Sequence, residues 1–301
     1  MNKSALLLLL LVLSCSNSRK SVNDPLSDDW TSLLDKDLSQ WEVFIGVPHE
    51  SVDLPMDHPK SKDGKTGTPL GLNNDPKNIF TTQLNEDKEL ELYITGEIFG
   101  GLTSKNIYEN YHFRCEFKWG EKKWHPRLTE KRDNGILYHC TGEHGAFWNA
   151  WMRCLELQVQ EGDFGDFHPL AGAIADFKVK KVPNTEVDYI FDLEGTTQSA
   201  AYMPGFDVGR VIKSEDHEKA HGEWNMLEVY TIGNRAVHLV NGKLVLALTN
   251  ARYKEGDQEF PLTNGKIQLQ SEAAEGYYKN IAIRKITDFP KAIKVAAGFA
   301  D

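Results

Sequence analysis

The stretch Cys154-Leu155-Glu156-Leu157-Gln158-Val159-Gln160 holds the side chains best suited to chemistry. Alternation along a strand sends Leu155, Leu157 and Val159 to one face and Glu156, Gln158 and Gln160 to the other. Carboxylate and amide groups spaced roughly 7 Å apart on one face suit sugar hydroxyls, a divalent cation or proton transfer. A solvated polar face would look the same. A second strand, Gly135 to Cys140, turns Ile136 and Tyr138 inward and so sets His139 on the side of Glu156. A histidine beside a carboxylate serves as a general base or as a metal ligand. The segment Gln268-Leu269-Gln270-Ser271-Glu272 repeats the scheme, with Gln268, Gln270 and Glu272 on one face. Three strands that each gather hydrogen-bonding groups on one face argue for a cleft more than for plain solvation.

Around these strands lie Trp124 and Trp148, candidates for stacking on the C–H face of a sugar ring, and His168, read as a loop residue at the end of the cleft where a mobile base belongs. Glu161 has the opposite parity to Glu156 on an unbroken strand, which weakens hydrolysis by paired carboxylates. No Walker A loop, GxGxxG, HExxH, CxxC or GxSxG motif is present.

The elements that must position these groups are strands. Period-2 patterns run through Trp41 to Ile45, Glu89 to Thr95 and Tyr111 to Trp119. In the last, Phe113, Cys115, Phe117 and Trp119 alternate with His112, Arg114, Glu116 and Lys118, one face buried and one wet. Met226 to Thr231, Arg235 to Val240 and Lys243 to Thr249 form a meander, its second joint the hairpin pair Asn241-Gly242. Gly265 to Ser271 and Tyr278 to Ile286 complete the set, and amphipathic helices of ten or more residues are missing. The pattern predicts an all-β antiparallel sandwich. Gly46 to Lys77, with five prolines and four glycines, reads as a long loop insertion.

Forty-four acidic against 34 basic side chains give a net charge of −10, opposite to the footprint of a nucleic-acid binder. The partner should be neutral, cationic or small. At the start, Lys3 precedes an apolar run from Ala5 to Leu13, too short to span a bilayer. Val12-Leu13-Ser14-Cys15 resembles a bacterial lipobox. Residues 1–14 are therefore expected to be a signal peptide, Cys15 the lipidated anchor and 15–27 a polar tether, with the chain facing the periplasm; a plain secreted product is the alternative. The sandwich should span 28–286, with 287–301 a tail. Parity places Cys140 and Cys154 on opposite faces of neighbouring strands, so no structural disulfide is expected.

The chain also resembles the bacterial 3-keto-disaccharide hydrolase domain family, which includes 3-keto-glycoside lyases and hydratases. The resemblance rests on Trp30 to Leu34 with Lys36 to Trp41, Asp133-Asn134-Gly135-Ile136-Leu137-Tyr138-His139 and Glu156-Leu157-Gln158. It continues through Glu223-Trp224-Asn225, Val240-Asn241-Gly242-Lys243, Leu269-Gln270-Ser271-Glu272 and Tyr278-Lys279-Asn280-Ile281. His139 stands where the family pattern carries arginine, and Tyr278-Lys279 where it carries Phe-Arg. The resemblance implies a concanavalin-like or laminarinase-like jelly roll acting on sugars oxidised at C3. The ketone acidifies the C2 proton, a base forms the enolate, the C1 substituent leaves and water adds. It further implies a bound divalent cation, with Glu156 and His139 as ligands, a base in His168 or His139, and the loop carrying His49 closing over the substrate. Gln158, Gln270, Glu272, Trp124, Trp148 and His49 would contact the sugar. A lectin-like lipoprotein that binds glycans without turnover stays open.

Overall fold

The computed structural model describes residues 29–185 and 188–299. Cys15, the signal peptide and the whole tether lie outside the described residues. Strands take 49% of the described residues and helix 3%, in two antiparallel sheets, so the fold is the expected all-β jelly-roll sandwich. The larger sheet has twelve strands; its central members are Lys243–Glu255, Arg235–Val240, Asn225–Ile232, Tyr111–Lys123 and Ala274–Lys285, in that order. The first three form the meander, and both Asn241 and Gly242 take positive φ, as its tight turn requires. The eight-stranded sheet runs Phe167–Leu170, Arg153–Gln158, Gly135–Thr141, Asn264–Ser271, Gly100–Ser104, Trp41–Ile45 and Gly71–Leu72, with Tyr108–Glu109 beside Asn264–Ser271.

The sheets enclose one core. Phe113, Cys115 and Phe117 from the large sheet meet Ile136, Tyr138, Leu155, Leu157, Ile267 and Leu269 from the small one. Burial of these apolar faces drives the assembly and fixes strand register, because a one-residue slip would send every one of them to solvent. The outer side of Tyr111–Lys123 is less wet than expected. Trp30 covers His112 at 4.7 Å and carries the Arg114 guanidinium at 4.1 Å, and Tyr230 stacks on His112 at 3.6 Å.

The tail forms a short helix, Lys291–Ala297, stopped by Gly298 in the left-handed conformation. Within the long loop, Gly71–Leu72 pairs with Trp41–Ile45, and Asn149 donates to the Lys65 carbonyl at 2.7 Å. The insertion is therefore docked on the sheet face that turns away from the core.

Candidate active site

On that outer face of the small sheet lies a cavity of about 410 Å³. Its floor is built by register. His168 stands directly opposite Glu156, Glu156 opposite Leu137, and Gln158 opposite Gly135. Directly opposed residues on one face carry Cβ atoms about 4.5–5.5 Å apart. His168 and Glu156 are thus neighbours on one surface. His168 is a strand residue, in Phe167–Leu170, and not the loop residue the sequence suggested; the strand is short, contains Pro169 and has no apolar alternation to announce it.

Room for the Glu156 carboxyl comes from Gly135. A Cβ there would fall 2.1 Å from Glu156 Oε1 and 2.7 Å from Gln270 Oε1. The absent side chain lets the carboxyl lie across the neighbouring strand toward Gln270, which hydrogen-bonds it. Gly135→Ala is expected to destabilise the fold by about 1–3 kcal/mol through overpacking and to lower turnover by more than the loss of folded protein explains. Thermal denaturation and kcat measured on the same preparation separate the two effects.

Two further acids flank Glu156. Asp133 bridges to Glu272 across the strand ends. Arg127 closes on both, with Nη2 2.6 Å from Asp133 and Nη1 3.1 Å from Glu272. Gln160 also donates to Asp133. Burial pushes Asp133 up to about 6 against the pull of Arg127. It holds Glu272 well above the ordinary carboxylate value too, with the Asp133 charge adding to it. Among the described residues no cation contacts Glu156; burial, then the Asp133 and Glu272 charges, hold it well above the usual range, which favours its protonated form.

His168 experiences the reverse. Burial, assisted by the Arg210 charge, pushes its imidazole down to about 3, so the ring is neutral across the physiological range. Its Nδ1 is hydrogen-bonded to the Tyr202 hydroxyl. Burial and then the Glu156 charge raise the Tyr202 phenol, which keeps its proton. Gly209 lets the Tyr202 ring in, since a Cβ there would sit 2.9 Å from Cε1.

The opposite wall is aromatic. Phe147 N donates to Trp151 O at 2.9 Å, and Trp148 and Asn149 both take positive φ inside that turn. The turn presents Trp148, 40% exposed, with its ring tilted against Trp151 at 5.6 Å. Lys65 of the long loop rests over the Trp148 ring at 3.3 Å. An amphipathic ring beside convergent hydrogen-bonding groups is the surface a pyranose needs.

Six of the nine residues expected in the cleft line the cavity: Glu156, Gln158, His168, Gln270, Glu272 and Trp148. Three do not. His139 turns into the core. Between Leu137 and Cys140 the chain advances three residues while its partner advances two, from Gln268 to Lys266, so the strand bulges with His139 at φ 53°. The ring packs edge-on to Tyr111 and Tyr138, with Nδ1 3.5 Å from the Tyr111 hydroxyl, and burial pushes it down to about 3. The bulge also brings Cys140 and Cys154 to the same side, contrary to parity; both are free, as is Cys115. Trp124 packs against the cluster of Phe99, Leu137 and Trp151 and donates from Nε1 to Thr95 O at 2.8 Å. His49 is buried against His125, ring to ring at 5.0 Å, with Ser51 on its Nδ1.

The expected cation set of Glu156 and His139 therefore does not form, because the two side chains leave the sheet on opposite faces. Among the described residues no three His, Cys, Asp or Glu side chains gather closely enough to hold a metal ion. The residues present do not fit such a group, and no step is routed through one.

Arg127, Asp133, Tyr202 and Arg210 belong to the cavity and were not singled out from the sequence. Asp133 opens the Asp-Asn-Gly motif and was within reach of that reading. Arg127, Tyr202 and Arg210 lie in turn-rich segments without periodicity, where no local signal points inward.

No curated protein matches the chain in sequence. Among solved structures it is similar to a candidate glycosyl hydrolase from Parabacteroides distasonis, at 15% identity over 85% of this chain and 99% of that one, with a TM-score of 0.46. It is also similar to LamAcat from Zobellia galactanivorans (13%, 82% and 91%, TM-score 0.39) and to the carbohydrate-binding module CBM66 from Bacillus subtilis (9%, 68% and 92%, TM-score 0.38). A family model matches residues 29–284, almost the whole described chain, and on that match the protein belongs to the 3-keto-alpha-glucoside-1,2-lyase-like domain family.

Proposed function

We propose that this protein cleaves the glycosidic bond of 3-keto-glycosides by abstracting the C2 proton, eliminating the C1 substituent and hydrating the resulting enone. The observation that carries the reading is the facing pair on the cavity floor: a histidine held neutral and a carboxyl held protonated. Environments that push two neighbouring groups apart in this way assign one as base and the other as acid.

The base role requires Nδ1–H of His168 to donate to the Tyr202 oxygen, leaving the Nε2 lone pair for the substrate. His168 takes the C2 proton, and the C–H electron pair becomes the C2=C3 bond of an enolate. The enolate then re-forms the ketone, makes C1=C2 and breaks the C1–O bond. The Glu156 carboxyl gives its proton to the departing oxygen. The imidazolium formed faces the carboxylate left behind, so the charge each step creates meets its counter-charge across one strand pair. Gln158, Gln270 and Glu272 line the cavity and would contact ring hydroxyls, with Trp148 beside them. On this reading the lipid anchor at Cys15 holds the domain at the cell envelope, facing the periplasm.

Deuterium at C2 of the substrate tests the mechanism. Proton abstraction predicts a primary isotope effect of several-fold on kcat/KM and transient enone absorbance. Direct displacement at C1 predicts neither, and either absence would remove the elimination reading. The acid limb of kcat/KM is expected near pH 3, where His168 charges, and not near the ordinary histidine value.

A further inference from the structure

The elimination develops negative charge on the C3 oxygen, and the cavity must meet it. Resting on the reading above, we propose that Arg210 is a catalytic residue whose guanidinium donates hydrogen bonds to the enolate oxygen at C3.

Position supports this first. Phe167 and Val211 form an antiparallel bridge, with reciprocal backbone bonds of 2.9 and 3.1 Å. The same register sets Arg210 beside His168, so Glu156, His168 and Arg210 follow one another across three adjacent segments. Arg210 lines the cavity together with His168 and Tyr202.

Availability supports it second. Arg127, the other guanidinium in the cavity wall, is only 13% exposed and spends both terminal nitrogens on Asp133 and Glu272. Lys65 lies on the Trp148 ring and does not line the cavity. Arg210 is 36% exposed, and its carboxylate contacts are long: 3.4 Å to Asp188 and 4.0 Å to Asp166. Asp166 is already engaged by the Lys213 backbone N–H at 3.0 Å. The Arg210 charge is close enough to bear on both His168 and Tyr202. A planar fork of donors with few close partners, next to the base, is suited to an oxyanion that exists only after proton removal.

The step balances without an added reagent. The C2 proton goes to His168, the C–H pair forms C2=C3, and the carbonyl π pair moves to the C3 oxygen, which accepts N–H bonds from Arg210. When the ketone re-forms, the oxygen pair remakes the C3 carbonyl, the C2=C3 pair becomes C1=C2, and the C1–O bonding pair leaves with the C1 oxygen, which takes the Glu156 proton.

Arg210→Ala and Arg210→Lys, assayed on a chromogenic 3-keto-glucoside with 4-nitrophenol as leaving group, test the proposal. The Ala variant is expected to lose about 10²–10³-fold in kcat, with KM changed far less and a larger C2 deuterium isotope effect. Millimolar guanidinium should restore part of its rate, and the Lys variant should fall between. An Ala variant that keeps wild-type kcat, or one whose loss lies in KM and is not relieved by guanidinium, would overturn the role of Arg210. Wild-type protein that releases no nitrophenol would instead sink the function on which the proposal rests.

Discussion

Replacing His168 with glutamine should lower kcat on a 3-keto-glycoside by about 10³-fold, within the range that a positioned base contributes. Glutamine fills a similar space on Phe167–Leu170 and keeps polar atoms near Tyr202, so the fold and the sugar contacts should persist. It has no basic lone pair to take the C2 proton. KM should therefore stay within a few-fold of wild type while kcat collapses. Tyr202→Phe removes the hydrogen bond to Nδ1 without removing the base, and its loss should be the smaller one. Steady-state kinetics on the two variants, with a thermal melt to show that both fold, is the check. A His168→Gln protein at wild-type kcat would transfer the base role elsewhere. His139, the other histidine considered, lies on the core side of its strand and does not face the cavity.

Glu156→Gln is expected to separate activity from stability. Turnover should fall by about 10²–10⁴-fold, because an amide cannot protonate the leaving oxygen. The stability effect follows from the sign of the shift. Folding raises the Glu156 pKa, so the folded state holds a proton that the unfolded chain releases above about pH 4.5. The stabilising contribution is complete below that pH and is lost as pH rises toward the folded value. The variant lacks this slope. Its amide can also donate to Gln270 Oε1, which is buried without a partner. Urea midpoints at pH 5 and pH 8 should therefore show the variant gaining on wild type at the higher pH, while Asp133 and Glu272, shifted in the same direction, keep a residual slope in both proteins. Equal midpoints at both pH values would contradict the protonated state assigned to Glu156.

The sandwich was legible because period-2 alternation of apolar and polar residues is written into Tyr111–Lys123, Arg153–Gln158 and Asn264–Ser271. Gly100–Ser104 was not, since two glycines weaken any strand signal; Gly101 is there because a Cβ would fall 2.4 Å from the Gln268 amide. The floor was legible for the same reason as the fold: Glu156 and Gln158 alternate with core leucines. Parity failed at His139, where one extra residue reversed the face, and a bulge leaves no mark on alternation read one strand at a time. Arg127, Tyr202 and Arg210 reach the cavity from segments whose path is set by tertiary contacts: a bridge to Phe167, a glycine that admits a tyrosine ring, a pair of acids that fix a guanidinium. Two of these join residues dozens of positions apart, Phe167 with Val211 and Arg127 with Glu272, and a single sequence shows only the local half of each.

On the proposed mechanism, the facing pair of His168 and Glu156 turns over 3-keto-glycosides. The most direct measurement is nitrophenol release from a 4-nitrophenyl 3-keto-glucoside by the wild-type protein, beside the same protein given the unoxidised glucoside. Catalytic release is expected from the keto substrate alone, since only the ketone acidifies C2. Saturable binding of both sugars with release from neither would contradict it and leave a glycan-binding sandwich.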